Sequence, residues 1–222
     1  MASERLYLPA SSAIRVLVPM KSPFARLVVL LSLLQAAPAL AQSARYELIE
    51  AVRKSDAPTA VQLLATGGGR LADRLDPDTG EAALHIVAKR EDLGWLALLL
   101  RYGADANVED RDGNTPLIYC AIGDFTDGVR VLVGNGAKVD AQNRAGETAL
   151  IKAVRARSAT MVRLLLSLGA NPKLQDNASG YSALDYAKQD RRSAQILRLL
   201  ETPVVKDAVD AKVGASIQPP QP

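Results

Sequence analysis

Few side chains in this chain could make or break a bond. There is one histidine, His85, and one cysteine, Cys120. The acidic pair Glu109–Asp110 and the glycine run "TGGGR", Thr66 to Arg70, complete the set. A histidine base needs an oriented partner, and a metal centre needs several ligands at set spacing; no Cys, His or carboxylate cluster accompanies His85. A working thiol needs exposure and a lowered pKa. Cys120 sits among small apolar neighbours and is expected to be buried. A phosphate cradle needs a strand before the glycines and a Lys-Ser/Thr after them. Neither is present, so Thr66–Arg70 reads as a loop where a helix ends. Glu109 and Asp110 sit in a loop with no distinguishing spacing. Serine, thiol and glycosidase chemistry all lack a positioned second group. The expectation is no catalytic set, no metal and no cofactor, and therefore not an enzyme.

The elements that carry these residues recur. "TGEAALHIVA", "DGNTPLIYCA", "AGETALIKAV" and "SGYSALDYAK" align on Gly80, Gly113, Gly146 and Gly180, which stand 33, 33 and 34 residues apart. Asp-Gly makes a tight turn in which glycine takes a positive φ. Thr115 or Thr148 can cap the helix that follows, and Pro116 suits its first turn. Leu84, Leu117, Leu150 and Leu184 share one register and should point inward. Ala88, Ala121, Ala153 and Ala187 let neighbouring helices approach. Further on, Leu96/Leu99/Leu100, Val129/Leu132/Val133 and Val162/Leu165/Leu166 repeat at i, i+3, i+4, one helical face. Gly103, Gly136 and Gly169, each followed by Ala, should end these second helices in a left-handed cap. The expected architecture is all-α: five helix-turn-helix units side by side, with short turns projecting as fingers.

The register of G-x-T-P-L-H-x-A-A followed by V-x-x-L-L-x-x-G-A-D-x-N resembles the ankyrin repeat, from Ala44 to Glu201. The resemblance implies a right-handed solenoid of about five repeats (44–77, 78–111, 112–144, 145–178 and 179–201) within a domain spanning 42–201. It implies that His85 ties neighbouring repeats by hydrogen bonds, weakened because Ala82 replaces the usual Thr. Cys120 fills a position normally held by Ala, and Trp95 reads as packing between repeats. "ARYELIEAVRKSDAPTAVQLLATG" is the N-terminal cap, with Leu48, Ala51, Val61 and Leu64 inward and Arg53, Lys54 and Asp56 wet.

The ends of the chain differ in composition. From Met20 the sequence runs "MKSPFARLVVLLSLLQAAPALAQ": Lys21 and Arg26, an apolar stretch from Leu27 to Leu34, then Ala39-Leu40-Ala41. That order is a secretory signal peptide cleaved after Ala41, with translation starting at Met1 or Met20. The apolar run is short of the roughly 20 residues of a spanning helix. The formal charge is +3 for the whole chain. Removing residues 1–41 takes away four basic and one acidic side chain and leaves 23 of each sign. A nucleic-acid partner loses its support. Residues 202–222 hold no sustained period, end in Pro/Gln, and read as a disordered tail. The expected location is the periplasm of a Gram-negative bacterium, with secretion as the alternative.

A solenoid leaves its concave face of fingers and first helices free. The variable positions that the resemblance places there are Glu81, Lys89, Arg90, Arg111, Asn114, Ile122, Arg144, Glu147, Arg155, Tyr181 and Gln189. Lys89, Arg90, Arg111, Arg144 and Arg155 would form a basic stripe interrupted by Glu81 and Glu147. The partner expected is another protein with an acidic surface, met by a monomer without a membrane anchor. Similarity to small periplasmic ankyrin proteins further implies protection or scaffolding of a partner such as catalase under peroxide stress. A secreted effector or a passive spacer is the alternative.

Overall fold

The computed structural model describes residues 44–190 and 192–202. The leader and the tail inferred above lie outside the described residues. Among the described residues ten helices follow one another: α1 (44–54), α2 (Ala57–Ala72), α3 (Ala83–Lys89), α4 (Leu93–Arg101), α5 (Pro116–Ile122), α6 (Thr126–Gly134), α7 (Ala149–Arg155), α8 (Ala159–Ser167), α9 (Ala183–Gln189) and α10 (Ala194–Glu201). Among the described residues there is no β-strand, only an isolated bridge between Gln175 and Ser182.

The helices pair as hairpins and stack in two layers. α3, α5, α7 and α9 lie side by side, as do α4, α6, α8 and α10. The sequence register explains the stack. Leu84, Leu117 and Leu150 are sealed, as are Ala88, Ala121, Ala153 and Ala187. Leu184, in the last described hairpin, is only partly buried. Leu96, Leu99, Val129, Leu132, Val162 and Leu165 fill the seam between the layers at 0 % exposure. Each hairpin buries its apolar stripe only against its neighbours, so one core runs the length of the stack.

Helix ends follow sequence chemistry. Asp56, Asp92, Thr148, Ser158 and Ser182 each accept a backbone N–H in the first turn of the following helix. Gly103, Gly136 and Gly169 take φ of 84°, 88° and 92°, the expected left-handed caps. Thr115 is different: its backbone is extended, but its hydroxyl makes no cap bond and is buried without a partner. Pro116 alone starts α5.

Two further expectations change. The N-terminal hairpin buries Ala60 rather than Val61, which is half-buried, because Ala60 lies at i−4 from the buried Leu64 and shares its helical face. The "TGGGR" segment is not a loop. α2 runs through it with a kink at Gly68, φ 58° and ψ −159°, and resumes to Ala72. A Cβ on Gly69 would lie 1.7 Å from the Gly103 carbonyl oxygen. The glycines therefore let the helix end lie backbone-to-backbone against the next hairpin.

Candidate functional site: the finger and first-helix face

The fingers are built on buried polar residues, among them Asp110, which was expected to sit in a loop with no distinguishing spacing and instead belongs to a buried, repeating set. Asp76, Asp110, Asn143 and Asp176 recur 34, 33 and 33 residues apart and are all buried. In each, the backbone N–H donates across the finger, to the carbonyls of Glu81, Asn114, Glu147 and Tyr181 respectively. The side-chain oxygen then caps the turn. Asp110 Oδ1 accepts from the N–H of Asp112 and Asn114 at 2.9 and 2.8 Å, and Asp176 Oδ1 from Ser179 and Gly180 at 2.7 and 3.1 Å. The period was visible in the sequence, but Asp and Asn at a turn pass as ordinary loop polarity.

Neighbouring fingers are stitched together. The N–H groups of Arg111, Arg144 and Asn177 donate to the carbonyls of Gly80, Asp112 and Ala145 at 3.3, 3.0 and 2.8 Å. At Gly146, φ 76°, a Cβ would stand 2.7 Å from the Asn177 nitrogen. Only glycine allows the next finger to come that close. Asn143 Nδ2 donates to Asn114 Oδ1 at 2.8 Å, continuing the stitching through side chains.

First helices support the fingers from below. Tyr119 and Tyr186 occupy the same register and donate to Asp110 and Asp176. Burial pushes the Asp176 carboxyl up, but the bonds from Tyr186, Ser179 and Gly180 outweigh it and bring it down to about 2. Asp110 is lowered by the same balance, with Tyr119 and Asn114 as donors, and Tyr119 is raised by burial and by Asp110. Lys152, at the same register in α7, reaches Glu147 instead.

His85 joins two repeats. Its Nδ1 accepts the Ala82 N–H at 3.0 Å and its Nε2 donates to the Asn114 carbonyl at 2.9 Å. The inferred tie holds, and the imidazole also caps α3 where Ala82 has no hydroxyl. Burial lowers its pKa, so the ring is neutral, and neither nitrogen is left for acid–base work. Cys120 is fully buried and its thiol is pushed up to about 12 by burial. Among the described residues no group of His, Cys, Asp or Glu could hold a metal ion.

The eleven positions inferred for the binding face fall into three kinds. Asn114 and Glu147 are buried, held inside the finger network rather than offered to solvent. Glu81 pairs with Lys89, whose ammonium also lies 4.3 Å from the Tyr119 ring centre. Arg90 turns away to the Val52 carbonyl and Asp92 at 2.8 and 3.1 Å, and Arg111 clamps the carbonyls of Pro77 and Asp78 in the preceding finger. Arg155 pairs with Glu147. Ile122, Arg144, Tyr181 and Gln189 are exposed. Arg144 lines a cleft of about 340 Å³ with Asp112, Asn143, Glu147 and Lys152. Tyr181 stands edge-on to Tyr186 at 5.6 Å. The basic stripe is thus mostly committed to intramolecular bonds.

A family profile described as ankyrin repeats in three copies matches residues 48–143, and one described as ankyrin repeats in many copies matches 132–187. ARF GTPase-activating protein GIT2 of Mus musculus is 32 % identical over 77 residues, 35 % of this chain and 11 % of the relative. Neurogenic locus notch homolog protein 1 of Homo sapiens is 33 % identical over 82 residues, 37 % of this chain and 3 % of the relative. The chain spans 11 % or less of the length of these curated relatives. The periodic fingers, the His85 tie and the glycine-capped second helices lie in the stretch the two profiles cover between them, and the family's repeats are protein–protein interaction modules. With repeat length, hairpin stack and both profiles in agreement, the chain belongs to the ankyrin-repeat family.

Proposed function

We propose that this chain is an exported, non-catalytic binding module that meets a protein partner across its fingers and first helices. The observation that carries the reading is the contrast on that face. A rigid, cross-bonded lattice of fingers and helices presents two large apolar side chains, Ile122 at 49 % and Tyr181 at 39 % exposure. Aromatic and aliphatic anchors on a preorganised surface are what partners bury. Export is supported by the order of charge, apolar run and Ala-Leu-Ala in residues 20–41. The proposed partner is a periplasmic protein, with an oxidative-stress enzyme such as catalase the first to test. The module works as a monomer.

Intact mass of the exported protein should begin at Gln42, in the periplasmic fraction. The parent should recover one partner from that fraction at defined stoichiometry. Ile122→Glu with Tyr181→Ala should lose it, and Arg130→Glu on the opposite layer should keep it. Equal recovery by all three would contradict the reading.

A further inference from the structure

The positive charge left over from the finger lattice collects in one place. Lys89, Arg90 and Arg111 are each matched by a carboxylate or by backbone carbonyls. In the Arg144 cleft, Arg144 and Lys152 face Asp112 and Glu147, so charges balance. Beyond it, at the C-terminal ends of α7 and α9, Val154, Arg155, Arg157, Tyr186, Gln189 and Asp190 line a second cleft of about 290 Å³. Glu147 serves both Lys152 and Arg155, so it neutralises one of them at most. Arg155 meets it through Nη1 alone, and Arg157 meets Asp190 through Nε alone. Among the described residues no acceptor meets their other guanidinium nitrogens, and both side chains are about half exposed, 52 % and 53 %.

The geometry suits a planar monoanion. The Arg155 guanidinium lies 5.6 Å from the Tyr186 ring centre, and Tyr186 in turn donates to Asp176. Two forks face one cleft, with the Gln189 amide at its edge. A carboxylate accepts bidentate bonds from such forks. A phosphate dianion would face Glu147 and Asp190 with only one surplus positive charge to meet it.

We propose that the Arg155–Arg157 cleft docks one carboxylate side chain, Asp or Glu, of an acidic segment of the protein partner. This rests on the finger and first-helix face being the binding face. It narrows an acidic preference spread over three repeats to one pair of arginines in the fourth, and Arg157 was not among the residues inferred from sequence.

The test is a side-chain Nε–Hε NMR titration of the full chain with a hexaglutamate peptide. Arg155 and Arg157 signals should shift first, and affinity should fall roughly tenfold in Arg155→Gln/Arg157→Gln but hold in Arg101→Gln. Shifts shared equally with Arg101, Arg130 and Arg163 would overturn the site, as would tighter binding of inorganic phosphate at the same signals. Recovery of the partner by the double variant at the parent's level would also overturn it while leaving the binding face intact. Failure of the parent itself to recover a partner would count against the face.

Discussion

His85 joins two repeats through two buried hydrogen bonds. Truncating it strands the buried Ala82 N–H and leaves the Asn114 carbonyl with the Asp110 N–H as its remaining donor. His85→Ala should therefore destabilise the protein by about 1–3 kcal/mol, read from urea melts. The same residue sets an acid response. Its folded pKa lies below the ordinary value near 6.5, so the unfolded chain binds more protons as pH drops below ~6.5, and stability falls. Asp176 acts lower: its contribution is complete above pH ~4 and is lost as pH falls toward about 2. Melting temperatures should decline in two stages on acidification, and Asp176→Asn should shrink the second, which Asp76, Asp110, Glu147 and Asp190 share. Cys120, with its thiol near 12, should ignore Ellman's reagent in the native protein and react fully in denaturant. Both His85 and Cys120 could be interpreted from sequence because each is single and sits in a repeat register. Asn114 and Glu147 could not, because a turn residue shows no sign in one dimension that a neighbouring finger will cover it.

Between the helices of the first four hairpins the chain turns through a residue other than glycine at positive φ: Ser55, Glu91, Asp124 and Arg157, at 58° to 60°. An L side chain there costs about 1–2 kcal/mol. Glu91 forms no ion pair or side-chain hydrogen bond among the described residues, so Glu91→Gly should raise stability by about 0.5–1 kcal/mol in a thermal melt. The reverse holds at Gly69, where a methyl group would strike the Gly103 carbonyl; Gly69→Ala should lower stability by about 1–3 kcal/mol. Helix positions and glycine caps were legible, since they follow from local rules; of the two threonine caps inferred Thr148 holds and Thr115 does not, and the caps at Asp56, Asp92, Ser158 and Ser182 were not inferred. α2 was not. Three glycines in a row resemble a loop by propensity, and only the approach of the next hairpin explains why the helix resumes after its kink.

Across the whole stack, stability is a sum of hairpins and the interfaces between them. Leu117, sealed at 1 % exposure in the third hairpin, touches both neighbours' territory, so Leu117→Ala should cost about 2–5 kcal/mol. The repeat period made the architecture readable end to end, whereas the face's charge balance depended on which side chains cross from one finger to the next. We propose that the finger and first-helix face, and not the second-helix layer, receives the partner. Photo-crosslinking in cells, with the reactive residue placed singly at Ile122, Tyr181, Arg130 or Arg163, tests it most directly. One shared adduct from Ile122 and Tyr181, and none from Arg130 or Arg163, is the predicted result. The same adduct from Arg130 or Arg163, with none from the finger face, would contradict it.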